Sequence, residues 1–165
     1  MAKHLVLLSP QAQSEVRDIM ESRMSDPSKV KKDRQTECLL WRGAVAGGNG
    51  FRPGEYSTMK FKSRCDLFKP FQAGGHIVQL FLKTGEVPKN KNEGVSHLCH
   101  KKLCLNPSHL YLEPLKSNVN RKCCKSQNGR KRECRDETHT PQCFSEPPLN
   151  ENKVRWPHMI SVLFS

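Results

Sequence analysis

The sequence predicts a small α+β fold stapled by zinc, and three observations carry that expectation. Only 35% of the 165 residues are hydrophobic and 7% aromatic, so the chain can bury a modest core at most. Eight cysteines and seven histidines offer the cross-links that a thin core calls for. One segment has helical periodicity, while several others alternate as strands do.

Taken in order, Ser9 to Ser25 reads as a helix, with Ser9 as N-cap and Pro10 at the first helical position. Ala12, Val16, Ile19 and Met20 form its apolar stripe. Residues 26 to 37, DPSKVKKDRQTE, read as polar linker, and an N-terminal helix-and-linker unit is expected over residues 1–35. Between 38 and 90 a Gly-rich turn, AVAGGNGFRPGE, separates three stretches of strand character: ECLLWRG, YSTMKFK and HIVQLFL. In YSTMKFK, residues Tyr56, Thr58, Lys60 and Lys62 share one face and Ser57, Met59 and Phe61 the other. A twisted antiparallel ribbon with a basic, hydroxylated face fits a DNA major groove, although an ordinary half-exposed sheet has the same pattern. Further on, GVSHL is strand-like to His97. EPLKSNVNRK is a short helix, with Pro114 in its first turn, an inward face from Leu115 and Val119, and Asn118 beside that face.

Charge narrows the partners. Twenty-eight Lys and Arg against sixteen Asp and Glu give a formal charge of +12, the footprint of a nucleic-acid binder. Residues 116 to 135 concentrate it in Lys116, Arg121, Lys122, Lys125, Arg130, Lys131, Arg132 and Arg135, against Glu133 alone. The run GRKR at 129 to 132 equally describes a solvated loop or a nuclear-import signal. The N-terminal MAKHLVLLSPQAQ has too short an apolar run for a secretory signal. No window approaches the roughly 20 apolar residues of a membrane span. A reducing, nuclear compartment is therefore expected, where cysteines mixed with histidines favour zinc over disulfides.

The ligand-grade residues cluster. SHLCHKKLCLNPSHL, residues 96 to 110, contains Cys99, Cys104 and His109 in C-x4-C-x4-H spacing, with Asn106-Pro107 turning the chain back. A fourth ligand must come from His97, His100 or a distant cysteine. Cys124, Cys134, His139 and Cys143 form C-x9-C-x4-H-x3-C, a complete second set within one polar loop, with Cys123 competing for the place of Cys124. At least one histidine is left over, and a structural site does not explain it.

Together these residues resemble the His-Cys box homing endonucleases, within the wider group of ββα-metal, or His-Me finger, nucleases. The resemblance rests on SHLCHKKLCLNPSHL, on Asn118 at its distance from that block, on Cys124 six residues later, and on a lone upstream Cys38. It implies a zinc-bound ββα-metal nuclease domain over 36–144, with an antiparallel DNA-binding ribbon and two structural zinc ions. Cys38, Cys99, Cys104 and His109 would hold the first zinc, and Cys124, Cys134, His139 and Cys143 the second. His97 would be the general base that activates water, and Asn118 the ligand of one catalytic magnesium. Where the family has an arginine that holds the scissile phosphate this chain has Thr58, with Arg52, Lys60 and Lys62 nearby. Its second zinc loop is longer and carries Arg130, Lys131 and Arg132, which with Arg121 are expected on the DNA backbone. The tail, 145–165, is expected either to reach across as a dimer arm, as the resemblance implies, or to fold back on its own subunit, and a homodimer would cut both strands of near-palindromic double-stranded DNA.

The chemistry is coherent. A histidine near its ordinary pKa of about 6.5 can take a proton from water at neutral pH without a second metal. The chain shows no paired-carboxylate motif of the two-metal kind, since Glu93 and Glu113 stand apart in sequence. The rival expectation is a zinc-stapled DNA- or RNA-binding module without catalysis, which gives no reason to place both His97 and Asn118. A zinc-dependent protein adaptor leaves the charge unexplained.

Overall fold

The computed structural model describes residues 3–46, 56–121 and 139–143. Its elements are α1 (Lys3–Val6), α2 (Pro10–Met24), β1 (Val30–Lys32), β2 (Leu39–Trp41), β3 (Thr58–Phe61), β4 (Phe71–Gly74), α3 (Gly75–Thr84), β5 (Glu93–His97), a 3-10 turn (Pro107–His109), β6 (Leu110–Pro114) and α4 (Leu115–Asn120). Among the described residues the strands pair as three two-stranded antiparallel sheets, β1 with β2, β3 with β4, and β5 with β6. This is the small α+β architecture expected.

α2 forms as its sequence dictates. The Ser9 hydroxyl accepts from the Ala12 amide at 3.2 Å, and Ala12, Val16, Ile19 and Met20 are buried. Within the stretch read as linker, Val30–Lys32 instead pairs with β2 in the register Val30↔Trp41. Three residues carry little local signal, and burial of Val30 in the core stabilises the pairing. β3 keeps the expected alternation, Met59 and Phe61 inward and Lys60 outward, and pairs with β4 from Thr58↔Gly74 to Phe61↔Phe71.

The largest departure is HIVQLFL, which is helical. Gly74 sits at the N-cap of α3, and Gly85 ends the helix in the left-handed conformation, its amide donating to Phe81 O at 2.7 Å. The β-branched pair Ile77-Val78 suggests a strand, but tertiary packing overrides it by using both sides of a helix. Val78 and Phe81 join the main core with Val16, Met20, Phe61 and Leu105. Leu80 packs with Val95 and Leu110 beneath the β5–β6 hairpin, against which Ile77 also rests. α3 is thus the wedge that fixes the hairpin against the rest of the molecule.

β5 and β6 run in register from Glu93↔Pro114 to His97↔Leu110. Their connection carries the Cys/His block, and α4 follows immediately, packed on both strands. The result is a β-β-α unit. Leu115 and Val119, expected to face inward, are 45% and 47% exposed. A six-residue helix whose half-buried positions are Ser117 and Asn118 turns a polar edge to the hairpin.

Candidate metal and catalytic site

The first ligand set assembles as expected. Cys38 precedes β2, Cys99 and Cys104 lie in the β5–β6 connection, and His109 ends the 3-10 turn. Their ligand atoms all lie within 4.8 Å of one another, and Nδ1 of His109 is 3.5 Å from both Cys38 Sγ and Cys104 Sγ. Bonds of roughly 2.3 Å to sulfur and 2.0 Å to nitrogen give tetrahedron edges of about this length. The donor chemistry and spacing therefore fit zinc.

The backbone explains why a cysteine so distant in sequence joins the set. Trp41 N donates to Leu103 O at 2.9 Å and Leu105 N to Leu39 O at 2.8 Å, so the segment carrying Cys104 runs along β2. Lys101 Nζ reaches Asp33 at 2.5 Å and Thr36 at 3.0 Å. Asn106 accepts from Ser108 N and donates to Glu37 O, joining the turn that aims His109 to the residue before Cys38. Cys38 and Cys104 are fully buried. Side-chain hydrogen bonding with Cys99 pushes the Cys104 thiol down to about 5, and Cys99 is correspondingly raised. Three crowded sulfurs with one readily ionised are primed for a cation.

Of the second set, His139 and Cys143 are described and buried, whereas Cys124, Cys134 and the competing Cys123 lie outside the described residues. Arg52, Arg130, Lys131, Arg132 and the tail at 145–165 lie outside them as well.

His97 ends β5, buried, with Nε2 3.2 Å from Cys104 O. A carbonyl only accepts, so Nε2 carries the proton and Nδ1 is the atom able to take another. Burial pushes its pKa down to about 4, helped by the charges of Lys102, His100 and His109 and opposed by the bond to Cys104. The imidazole is therefore neutral at pH 7, the state a proton acceptor needs.

His97 packs in a ring cluster that sequence reading missed. His76, in the first turn of α3, lies 5.1 Å from His97 and 4.9 Å from Tyr56, centroid to centroid. It is buried, its Nδ1 has no hydrogen-bond partner among the described residues, and burial followed by the charge of His97 pushes its pKa down to about 3. Reading HIVQLFL as a strand concealed it. The punctuation Gly74…Gly85 marks a helix that holds this residue in its first turn.

Tyr56 and His76 line a cavity of about 670 Å³ whose wall also includes Lys89, Lys91, Glu93, Gly94 and Asn118. His97 reaches this cavity through its ring contacts with Tyr56 and His76 and does not itself form the wall. Asn118 lies over β5: its Nδ2 is 3.2 Å from where a Cβ on Gly94 would sit. A side chain at position 94 would crowd that carboxamide, so glycine is what lets Asn118 settle against the strand.

On the ribbon, Lys60 and Lys62 are exposed and Thr58 accepts from Gln72 Nε2 at 2.7 Å. Beside β3, a groove of about 280 Å³ is lined by Arg23, Lys29, Lys60, Lys62 and Arg64, so α2 adds Arg23, and the segment after it Lys29, which the sequence pattern did not assign to the ribbon. Arg121 departs from the expectation of a DNA contact. It is only 3% exposed, and its Nε and Nη2 donate to the two Glu113 carboxylate oxygens, each at 2.7 Å. A basic residue in a basic run looks solvated in sequence, and only the fold brings Glu113 against it.

A family model described as the zinc-binding loop region of homing endonuclease matches residues 72–154, from β4 through the second Cys/His set.

Proposed function

The chain belongs to this homing-endonuclease family of DNA-cutting nucleases, and from that premise we propose that it is a magnesium-dependent endonuclease making a site-specific double-strand cut in DNA. The observation that carries the proposal is His97, buried and neutral, with Nε2 engaged by a carbonyl and Nδ1 left to accept. In this reading Nδ1 takes the proton of the attacking water, and the Cys104 carbonyl stabilises the imidazolium that results. Asn118 is the residue that would hold magnesium. Its carboxamide settles beside Gly94 and borders the cavity, and its oxygen is a hard donor suited to that ion. When bound, the ion neutralises charge developing on the phosphate and on the leaving oxygen.

The residues around the cavity have complementary tasks. Tyr56 and His76 wall off His97 from bulk water, and Lys89 and Lys91 supply positive charge at the rim. Lys60 on β3 and Lys62 just past its end are exposed, where they can hold the duplex. The zinc ions keep this frame without taking part in chemistry, the second through Cys124, Cys134, His139 and Cys143. Two copies would place two such sites on the two strands, hence a homodimer on a near-palindromic target.

One observation favours a second reading. The resemblance puts Thr58 where the family has its phosphate-holding arginine, and the Thr58 hydroxyl is engaged by Gln72, which suits a chain that binds DNA without cutting it. Incubation of the zinc-loaded protein with a randomised duplex library and magnesium separates the two. Cuts that vanish with Asn118→Ala and with chelator support the nuclease and reveal its site. Binding without any cut establishes the silent module instead.

A further inference from the structure

A chain of buried polar groups runs behind the catalytic strand. Ser96, next to His97 on β5, donates from Oγ to the Glu113 carboxylate on β6. Glu113 also receives both arms of the Arg121 fork, at 2.7 Å each. The remaining arm, Nη1, donates to Pro141 O at 2.7 Å and to Cys143 Sγ at 3.4 Å. Ser96, Glu113 and Arg121 are all at least 95% buried, at 1%, 5% and 3% exposure.

The topology gives this chain its significance. Glu113 lies just before α4 and Arg121 just after it, so one bidentate ion pair spans both ends of the helix that bears Asn118. Few apolar contacts assist, because Leu115 and Val119 face solvent. A helix this short has little intrinsic stability in water, so its pose depends on what ties down its ends. A bidentate guanidinium–carboxylate pair fixes orientation as well as distance. The same guanidinium touches a sulfur of the second Cys/His set, an outer contact of the kind that orients metal ligands and tunes their donors.

We propose that Ser96, Glu113 and Arg121 are positioning residues that couple the second Cys/His loop to the pose of Asn118 and to the end of β5 that carries His97. The inference rests on the nuclease reading, since it assigns these residues a task in that reaction. It gives Arg121 a role opposite to a phosphate contact: the side chain acts from behind the site and never meets DNA. Burial alone could be served by apolar residues, and a buried ion pair is often no more stabilising than an apolar replacement of similar size. Directional hydrogen bonds to two further segments, β5 and 141–143, are what an apolar pair cannot reproduce.

The test compares wild type with Glu113→Gln, Arg121→Lys and the double variant Glu113→Met/Arg121→Met. The double variant guards against simple misfolding, because it leaves no unpaired charge. Four quantities are read: zinc per chain, hydrogen exchange across 113–121, DNA Kd and its salt dependence without magnesium, and single-turnover cleavage with magnesium. The expected result is folded protein with normal zinc content and DNA Kd within about threefold. Exchange across α4 should accelerate at least tenfold, and cleavage should fall by roughly 10- to 100-fold, as for other outer-shell substitutions at metal sites. Arg121→Lys should lie between wild type and the double variant. A Kd that weakens in step with cleavage, with the salt slope lowered by about 1, would make Arg121 a phosphate contact and overturn the proposal. Unchanged exchange and cleavage in a folded double variant would overturn it too. If wild type itself cuts nothing, the nuclease reading fails, and an exchange change without any cleavage to affect marks the ion pair as structural only.

Discussion

The zinc knuckle and the cavity beside it are built from the same residue types and do opposite things. In the knuckle every ligand faces another: Cys38, Cys99, Cys104 and His109 close on one point, and Lys101, Asn106 and Asp33 tie their loops together. Around the cavity no such closed set forms among the described residues: the buried Nδ1 of His76 has no hydrogen-bond partner there, Asn118 is half-buried at the wall, and Lys89 and Lys91 are exposed. A closed donor set is what a structural metal needs, and an open one is what chemistry needs. The histidines at 97 and 109, twelve positions apart on one hairpin, differ in what each faces: Nδ1 of His109 meets two cysteine sulfurs, whereas Nε2 of His97 meets the Cys104 carbonyl.

Breaking the closed side should have the largest effect. Cys104→Ala removes the sulfur at the centre of the set, and structural zinc contributes on the order of 10 kcal/mol to small domains. The expected outcome is loss of one zinc per chain and of the cooperative unfolding transition, read by metal analysis and thermal circular dichroism. Retention of the transition after loss of that zinc would mean that the core in α2, β3 and α3 suffices by itself.

Acid should sharpen the comparison next. The pKa of His76 is depressed from its ordinary 6.5 to about 3, so below pH 6.5 the unfolded chain binds a proton that the folded chain refuses. Its contribution to stability is complete above pH 6.5 and is lost as pH falls toward 3, about 2 kcal/mol of it between pH 6.5 and 5. His76→Gln should flatten the fall in denaturant midpoint from pH 7 to 5 relative to wild type. Protonation of the zinc ligands is common to both proteins and cancels. An identical fall in the two would mean that His76 titrates in the folded state as freely as in the unfolded one.

The open side also predicts how DNA is held. Lys60→Gln/Lys62→Gln should lower the slope of log K against log salt by about 2, close to 0.9 for each phosphate that is no longer neutralised, and leave zinc content alone. An unchanged slope would move the duplex off β3. The smallest effect belongs to α4: Leu115→Ser should shift stability by no more than about 0.5 kcal/mol because the side chain is exposed. Leu80→Ala, which opens the contact between α3 and the hairpin, should cost about 2 to 5 kcal/mol.

What could be read from sequence divides along the same line. Metal spacing is nearly a local property, so Cys99, Cys104 and His109 announced themselves, and Cys38 followed from the resemblance that they carried. The stripe of α2 and the alternation of β3 were legible for the same reason, as periodicity within one element. HIVQLFL was not, because its β-branched residues and its glycine punctuation pointed to different structures and packing decided between them. Arg121 and Glu113 could not be paired from sequence, since a buried ion pair depends on how β6 and α4 return on each other. His76 was hidden with the helix whose first turn holds it.

The most direct test of the central claim is single-turnover cleavage of the target duplex by His97→Ala, with zinc content and DNA Kd measured on the same preparation. The account predicts zinc and Kd at wild-type levels and a cleavage rate lower by about 10²- to 10⁴-fold, the worth of a positioned general base. A rate unchanged from wild type in protein with full zinc would contradict it and place the proton acceptor elsewhere.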